Sequence, residues 1–245
     1  MEGREAGIRG ASPSRWWVLA DVALVAFITT VDATIVVVAR PRMMAGLHIP
    51  ATAGLWTLIA YIITSTVLLL PAGRWSDAAG RRPTFLLGML IFSGATVLCG
   101  VAPSGAFLIG ARLLQGAGAA LGLATAVPLI VEAFPPGQLG RALGINSTAW
   151  VLGSIIGPVA AGALVATRGW RWVFFVTVPF GLAGWVGGWW ALPRDRPRAR
   201  RPVVDGAGLS ASGSHWSSSR WRSRRGSPGA GDRCASSTCG RGRRA

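Results

Sequence analysis

Gly73-Arg-Trp-Ser-Asp77-Ala-Ala-Gly80-Arg81-Arg82-Pro83 is the most polar short run before residue 190, and long apolar segments lie on both sides of it. Glycines let a backbone turn abruptly, and arginines beside membrane spans stay on the cytoplasmic face. The expectation is a tight loop tied between two spans. Asp77 in it would either cap the next helix or pair with Arg81.

Working outward from that loop, residues 16–192 consist mainly of Ala, Val, Leu, Ile, Gly and Trp, with ionisable residues at a few points only. A soluble domain of that length could not hide so much apolar surface, whereas about 20 apolar residues cross a bilayer. Six spans are expected: 16–39, 51–72, 84–102, 106–131, 139–166 and 172–192. Arg40 to Pro50, Pro103-Ser104-Gly105 and Pro135-Pro136-Gly137 separate three of the pairs. The first span is longer than the roughly 7–15-residue apolar core of a signal peptide and reads as a membrane anchor. The fold class is an all-α membrane protein, a six-helix bundle over 16–193, with a cytoplasmic lead over 1–15 and a basic tail over 194–245.

An even number of spans puts both ends on one side. With a cytoplasmic start, the inner segments hold twelve arginines and the outer loops hold only Arg40, Arg42, Arg168 and Arg171. That asymmetry predicts cytoplasmic termini in the cell membrane. Trp16, Trp17, Trp170, Trp172, Trp189 and Trp190 fall at span ends, where indoles anchor to the interface. The net charge of +16 comes from arginine alone, which suggests coding bias more than nucleic-acid binding. Cys99 lies in a span, and Cys234 and Cys239 lie in the tail, so no disulfide framework is expected. The two tail thiols with His215 fall short of four zinc ligands, and no metal site is assigned.

An ionisable side chain inside a span is costly and usually faces a cavity or a partner. Asp32 is seven residues from the outer end of the first span, and Arg112 is six from the outer end of the fourth. At 1.5 Å per residue, both lie roughly 10 Å below the outer surface. They are expected to approach one another, either as a proton-coupling pair beside a polar cavity or as an ion pair that only fixes packing. In the fifth span, Gly153, Gly157 and Gly162 frame Pro158. Glycines four apart permit close helix approach, and the proline removes a backbone hydrogen bond. Glu132 and Arg141 flank the fourth-to-fifth loop on the side of Asp77 and Arg81, either as a locking charge cluster or as solvated loop charges.

Five patterns in order then resemble the major facilitator superfamily, in its fourteen-helix drug:proton antiporter branch. Asp32-Ala-Thr34-Ile-Val is similar to the D-x-T-I-V signature, and Gly73 to Pro83 is similar to the loop between helices two and three. Arg112-Leu-Leu-Gln115-Gly-Ala-Gly118 resembles R-x-x-Q-G-x-G. Gly153-x-x-x-Gly157-Pro158-x-x-x-Gly162 resembles the antiporter motif, and Trp170-Arg-Trp-x-Phe174 resembles the run opening helix six. Ala78, Ala161, Thr177, Val37 and Arg40 depart from those patterns. The resemblance covers about residues 15–193. It implies proton-coupled export of drugs or other small lipophilic or cationic compounds by alternating access, driven by a proton gradient with no cofactor. It places Asp32, Thr34, Arg112 and Gln115 in the proton and substrate region. Gly73, Asp77, Gly80, Arg81 and Arg82 would form a cytoplasmic gate. Gly153, Gly157, Pro158 and Gly162 would shape the moving helix.

Partners implied are membrane lipid, a small-molecule substrate and a second six-helix bundle, because the family pairs two bundles around its site. Nucleic acid is not among them. An enzyme is not expected, since no nucleophile–base pair, phosphate loop or metal cluster is present. A uniporter or symporter is disfavoured by the fifth-span pattern. The other reading is a truncated, transport-incompetent fragment or a half-transporter needing a partner bundle. After Asp205-Gly-Ala-Gly-Leu209-Ser210, which looks like the approach to a seventh helix, the chain turns to Ser, Arg, Gly, Trp and Cys. Such composition predicts disorder, through a lost reading frame or a degenerate gene. A basic segment for anionic lipid is the alternative.

Overall fold

The computed structural model describes residues 14–192, so the lead, the tail and its Cys234, Cys239 and His215 lie outside the described residues. Six helices follow one another: α1 Ser14–Leu47, α2 Ala51–Ala79, α3 Arg81–Gly100, α4 Gly105–Ala133, α5 Pro136–Thr167 and α6 Arg171–Ala191. All six are long and apolar enough to cross a membrane, and no strand occurs among the described residues. The bundle is an all-α, multi-pass membrane fold, as the apolar runs predict.

Two boundaries differ from the sequence expectation. The first helix does not stop at residue 39 but continues through Pro41 to Leu47. Ile35, Ala39 and Met43 extend one buried stripe at a spacing of four, and they share a core with Cys99, Leu108, Trp170 and Phe174. That packing holds the helix past a proline that would end it in isolation. The second difference is at the polar run itself. Residues 73–79 belong to α2, and α3 begins at Arg81, so the loop reduces to Gly80. Gly80 has φ 104° and ψ 150°, a conformation that side chains strain to adopt. Its N–H donates to the Ser76 carbonyl at 3.0 Å, and its own carbonyl accepts from Thr84 Oγ1 at 2.7 Å. Asp77 therefore caps nothing; the cap position of α3 is Gly80, with no side-chain bond.

The other ends follow their sequence signals. Ser104 Oγ accepts from the Phe107 N–H at 3.3 Å and caps α4. Pro136 opens α5, where a missing N–H costs nothing. Of the tryptophans, Trp16, Trp17, Trp172, Trp189 and Trp190 are exposed at helix ends. Trp170 instead is buried, packed edge-on to Phe174 with its ring centroid 6.5 Å away, so it is a core residue and not an anchor.

The packing has an internal order. α4 rests chiefly on α2 and α3, while α1 rests chiefly on α5 and α6. α1 also meets α4, and α3 meets α6. Exchanging each helix with the one three places away maps this set of pairs onto itself. Neighbours three apart run in opposite directions, so the bundle is built as two inverted three-helix units. α1 and α4 meet at its middle, and each carries one of the two predicted buried charges.

Candidate functional site

The site begins with cost. An uncompensated charge in an apolar interior is strongly unfavourable, so a buried guanidinium and carboxylate must find each other and satisfy their remaining donors and acceptors. Asp32 on α1 is 0% exposed and Arg112 on α4 is 1% exposed. Arg112 Nη1 donates to Asp32 Oδ2 at 2.7 Å, which is the approach that their equal depth predicts. Their depth below the helix ends is not equal, because α1 runs on to Leu47, fifteen residues beyond Asp32.

Gln115, one turn along α4, completes the arrangement. Its Oε1 accepts from Arg112 Nη1 at 2.6 Å, and its Nε2 donates to Asp32 Oδ1 at 2.9 Å and to Thr96 Oγ1 at 2.7 Å. Arg112 Nε donates to the Thr57 carbonyl of α2 at 3.2 Å. The guanidinium lies over the ring of Tyr61, the single tyrosine of the chain, at 4.6 Å. Tyr61 in turn donates to the Thr29 carbonyl at 3.4 Å. Four helices thus supply one polar network. Within this network, the Arg112 Nη2 group lacks a hydrogen-bond partner among the described residues. The network is closed apart from that one nitrogen.

Thr34 is not part of this group. Its Oγ1 donates to the Thr30 carbonyl at 2.9 Å, and its side chain faces Gly157 of α5. The antiporter-motif glycines divide likewise. A Cβ on Gly153 would come within 2.7 Å of the Phe27 carbonyl oxygen, and Gly157 is pressed by Thr34 and by the Val31 carbonyl. A Cβ on Gly162 would meet nothing within 4 Å. Two of the three glycines therefore seat α5 against α1.

At the other end of the bundle, Arg81 Nη1 reaches Glu132 Oε1 at 2.9 Å and donates to the Pro128 carbonyl at 2.8 Å. Asp77 is a looser partner at 3.8 Å. Arg82 Nη2 donates to the Trp189 carbonyl at 2.8 Å, and Arg141 lies over Trp16 at 5.6 Å and is in none of the ion pairs among the described residues. The α2–α3 corner is thereby tied to the ends of α4 and α6, while a Cβ on Gly73 would meet nothing within 4 Å.

Sequence reading passed over Thr57, Tyr61 and Thr96, whose roles depend on register between helices. It also passed over Asp21 on α1, which is buried. The rule that singled out Asp32 applies equally to Asp21.

The profile described as Major Facilitator Superfamily matches residues 22–230. The chain is 35% identical over 187 residues to the uncharacterized MFS-type transporter Rv1250 of Mycobacterium tuberculosis, covering 76% of this chain and 32% of that one. It is 36% identical to the puromycin resistance protein pur8 of Streptomyces alboniger, covering 82% and 40%. It is 32% identical to the multidrug transporter protein MdtP of Bacillus subtilis, covering 71% and 32%. Among solved structures, a bacterial homolog of the human lysosomal transporter Spinster, inward-facing and occupied, superposes with a TM-score of 0.68 at 24% identity, over 78% of this chain and 46% of that one. The chain thus spans about a third to two fifths of the length of these sequence relatives.

Proposed function

The chain belongs to the major facilitator superfamily, and on that premise we propose that it is the amino-terminal bundle of a proton-coupled exporter of small lipophilic or cationic compounds. The family and its transporter-named relatives make this a transport protein and not an enzyme. The observation that carries the finer reading is the buried Asp32–Arg112–Gln115 network. An ionised Asp32 is held by Arg112 and Gln115. A proton on Asp32 removes the charge that balances the guanidinium, and Gln115, both donor and acceptor, lets the three exchange bonds. That exchange would couple proton entry to a change in how α1 and α4 pack. The proton gradient is the driving force, with no cofactor.

Arg81, Glu132 and Asp77, with Arg82 of α3 bonded to the Trp189 carbonyl of α6, would latch the cytoplasmic side, and Gly153, Gly157 and Pro158 would let α5 move against α1. Relatives named for puromycin, lincomycin and multidrug resistance support export of such compounds. The second reading is a bundle that cannot transport alone. It is favoured by the share of its relatives' length that the chain spans.

The test is efflux of a fluorescent cationic dye from membrane vesicles carrying the 245-residue chain, with and without a pH gradient. Gradient-dependent transport that disappears in Asp32→Asn is the expected result for a working assembly. Inserted, folded protein with no transport in either condition would select the second reading.

A further inference from the structure

Where α1 begins and α6 ends, the two helices enclose a crevice of about 570 Å³, with Trp17, Asp21, Leu24, Gly187 and Trp190 on its walls. Asp21 is 6% exposed, and its Oδ2 has no hydrogen-bond partner among the described residues. None of the ion pairs among the described residues includes it. Space for it has been cleared on α6. A Cβ on Gly187 would come within 2.7 Å of Oδ1, and one on Gly188 within 3.1 Å of Oδ2. This carboxylate therefore rests on bare helix backbone, without the guanidinium and amide that satisfy Asp32.

The surroundings define what could balance it. Trp17 and Trp190 are 67% and 84% exposed at the opening, and indole faces attract cations. The other lining residues are apolar, and the volume falls in the range of roughly 300–1,000 Å³ usual for small-molecule pockets. A single carboxylate cannot supply the six or more oxygens that a calcium ion takes. One buried carboxyl group without a partner, two aromatic faces and hydrocarbon walls match an organic monocation with apolar substituents, whose charge would balance the ionised carboxylate. The crevice is also separate from the Asp32 network. Eleven residues put the two carboxylates on one face of α1, about 16 Å apart along its axis. Val25 and Ile28, both buried, stand between them.

We propose that the α1–α6 crevice is a binding site for a lipophilic organic monocation, with Asp21 as its counter-charge and Trp17 and Trp190 as its aromatic walls. The site goes beyond the transport reading, and its occupancy can be measured whether or not the bundle transports.

Equilibrium binding of radiolabelled tetraphenylphosphonium to the full chain in phosphatidylglycerol nanodiscs tests it. Saturable binding is expected, weakened about tenfold or more in Asp21→Asn, which corresponds to about 1.4 kcal/mol. Trp190→Ala, at an exposed position that folding does not need, should also weaken it, and uncharged triphenylphosphine oxide should not compete. Gly187→Leu should block binding while Asp21 remains. Unchanged affinity in both Asp21→Asn and Trp190→Ala would overturn the site. Binding lost in Asp32→Asn but kept in Asp21→Asn would move the cation to the other network and overturn it equally. If phosphatidylethanolamine discs abolish the Asp21-dependent signal, the occupant is the lipid ammonium, and the free-cation assignment fails.

Discussion

At the scale of single residues, the Asp32–Arg112 pair sets the energetics. A buried ion pair contributes little relative to an apolar pair, but breaking it leaves an unbalanced charge and costs about 3–5 kcal/mol. Arg112→Ala should therefore destabilise the bundle by about that much, and the double variant Asp32→Asn/Arg112→Gln should recover a large part of the loss. Thermal unfolding can be read through Cys99, which is buried, with Cys234 and Cys239 changed to serine so that only exposure of the core thiol is seen. If the double variant melts as low as Arg112→Ala, uncompensated charge is not the cause. Arg112→Lys should not substitute well, because one ammonium cannot copy bonds to Asp32, Gln115 and Thr57 made from a planar fork. The pair was legible in the sequence because each charge alone is intolerable in a span. The bridging role of Gln115 toward Thr96 was not, since it depends on how α3 is rotated against α4. Asp21 was legible by the same rule, yet its unpartnered state was not, because only packing shows that α6 offers it backbone and no side chain.

At the scale of elements, sequence spacing predicts which helices approach closely but not which glycine does the work. The three glycines around Pro158 read as equivalent in the sequence, whereas only Gly153 and Gly157 press on α1. Gly153→Ala should cost about 1–3 kcal/mol through overpacking against the Phe27 carbonyl and Thr30, with Gly157→Ala at least as costly. Gly162→Ala should be neutral or gain up to about 1 kcal/mol from helix propensity. The same thiol-exposure melt separates them, and a Gly162→Ala loss equal to that of Gly153→Ala would sink the assignment of α5 to α1 through these two residues. Helix ends were less legible than helix faces. Pro41 predicts a stop that the Ile35–Ala39–Met43 stripe overrides, because tertiary burial outweighs one missing hydrogen bond. The polar run at 73–83 reads as a loop, yet its polarity marks position relative to the membrane and not irregular backbone. Gly80 alone performs the turn.

At the scale of the whole molecule, the pairing of helices three apart gives α2 and α5 equivalent places, and both present long apolar faces outward. Leu70 on α2 and Val159 on α5 are 76% and 71% exposed. Lipid covers such faces adequately in a bilayer, so exposure alone does not call for a partner. The argument for one is functional. A transporter of this family needs its site to open alternately to two sides, and a single bundle has no second wall to move against. If a second copy supplies that wall, the contact should fall on the equivalent helices and not on α3, which is packed between α4 and α6 and shows Leu90 outward. In a background without the native cysteines, Val159→Cys and Leu70→Cys should form crosslinked dimers in native membranes, and Leu90→Cys should not. Equal crosslinking at all three positions would mean random collision in the bilayer. Crosslinking at Val159 and Leu70 alone, lost when Asp32→Asn is introduced, would tie assembly to the buried network. The same crosslink kept in Asp32→Asn would leave pairing of the bundles independent of proton coupling.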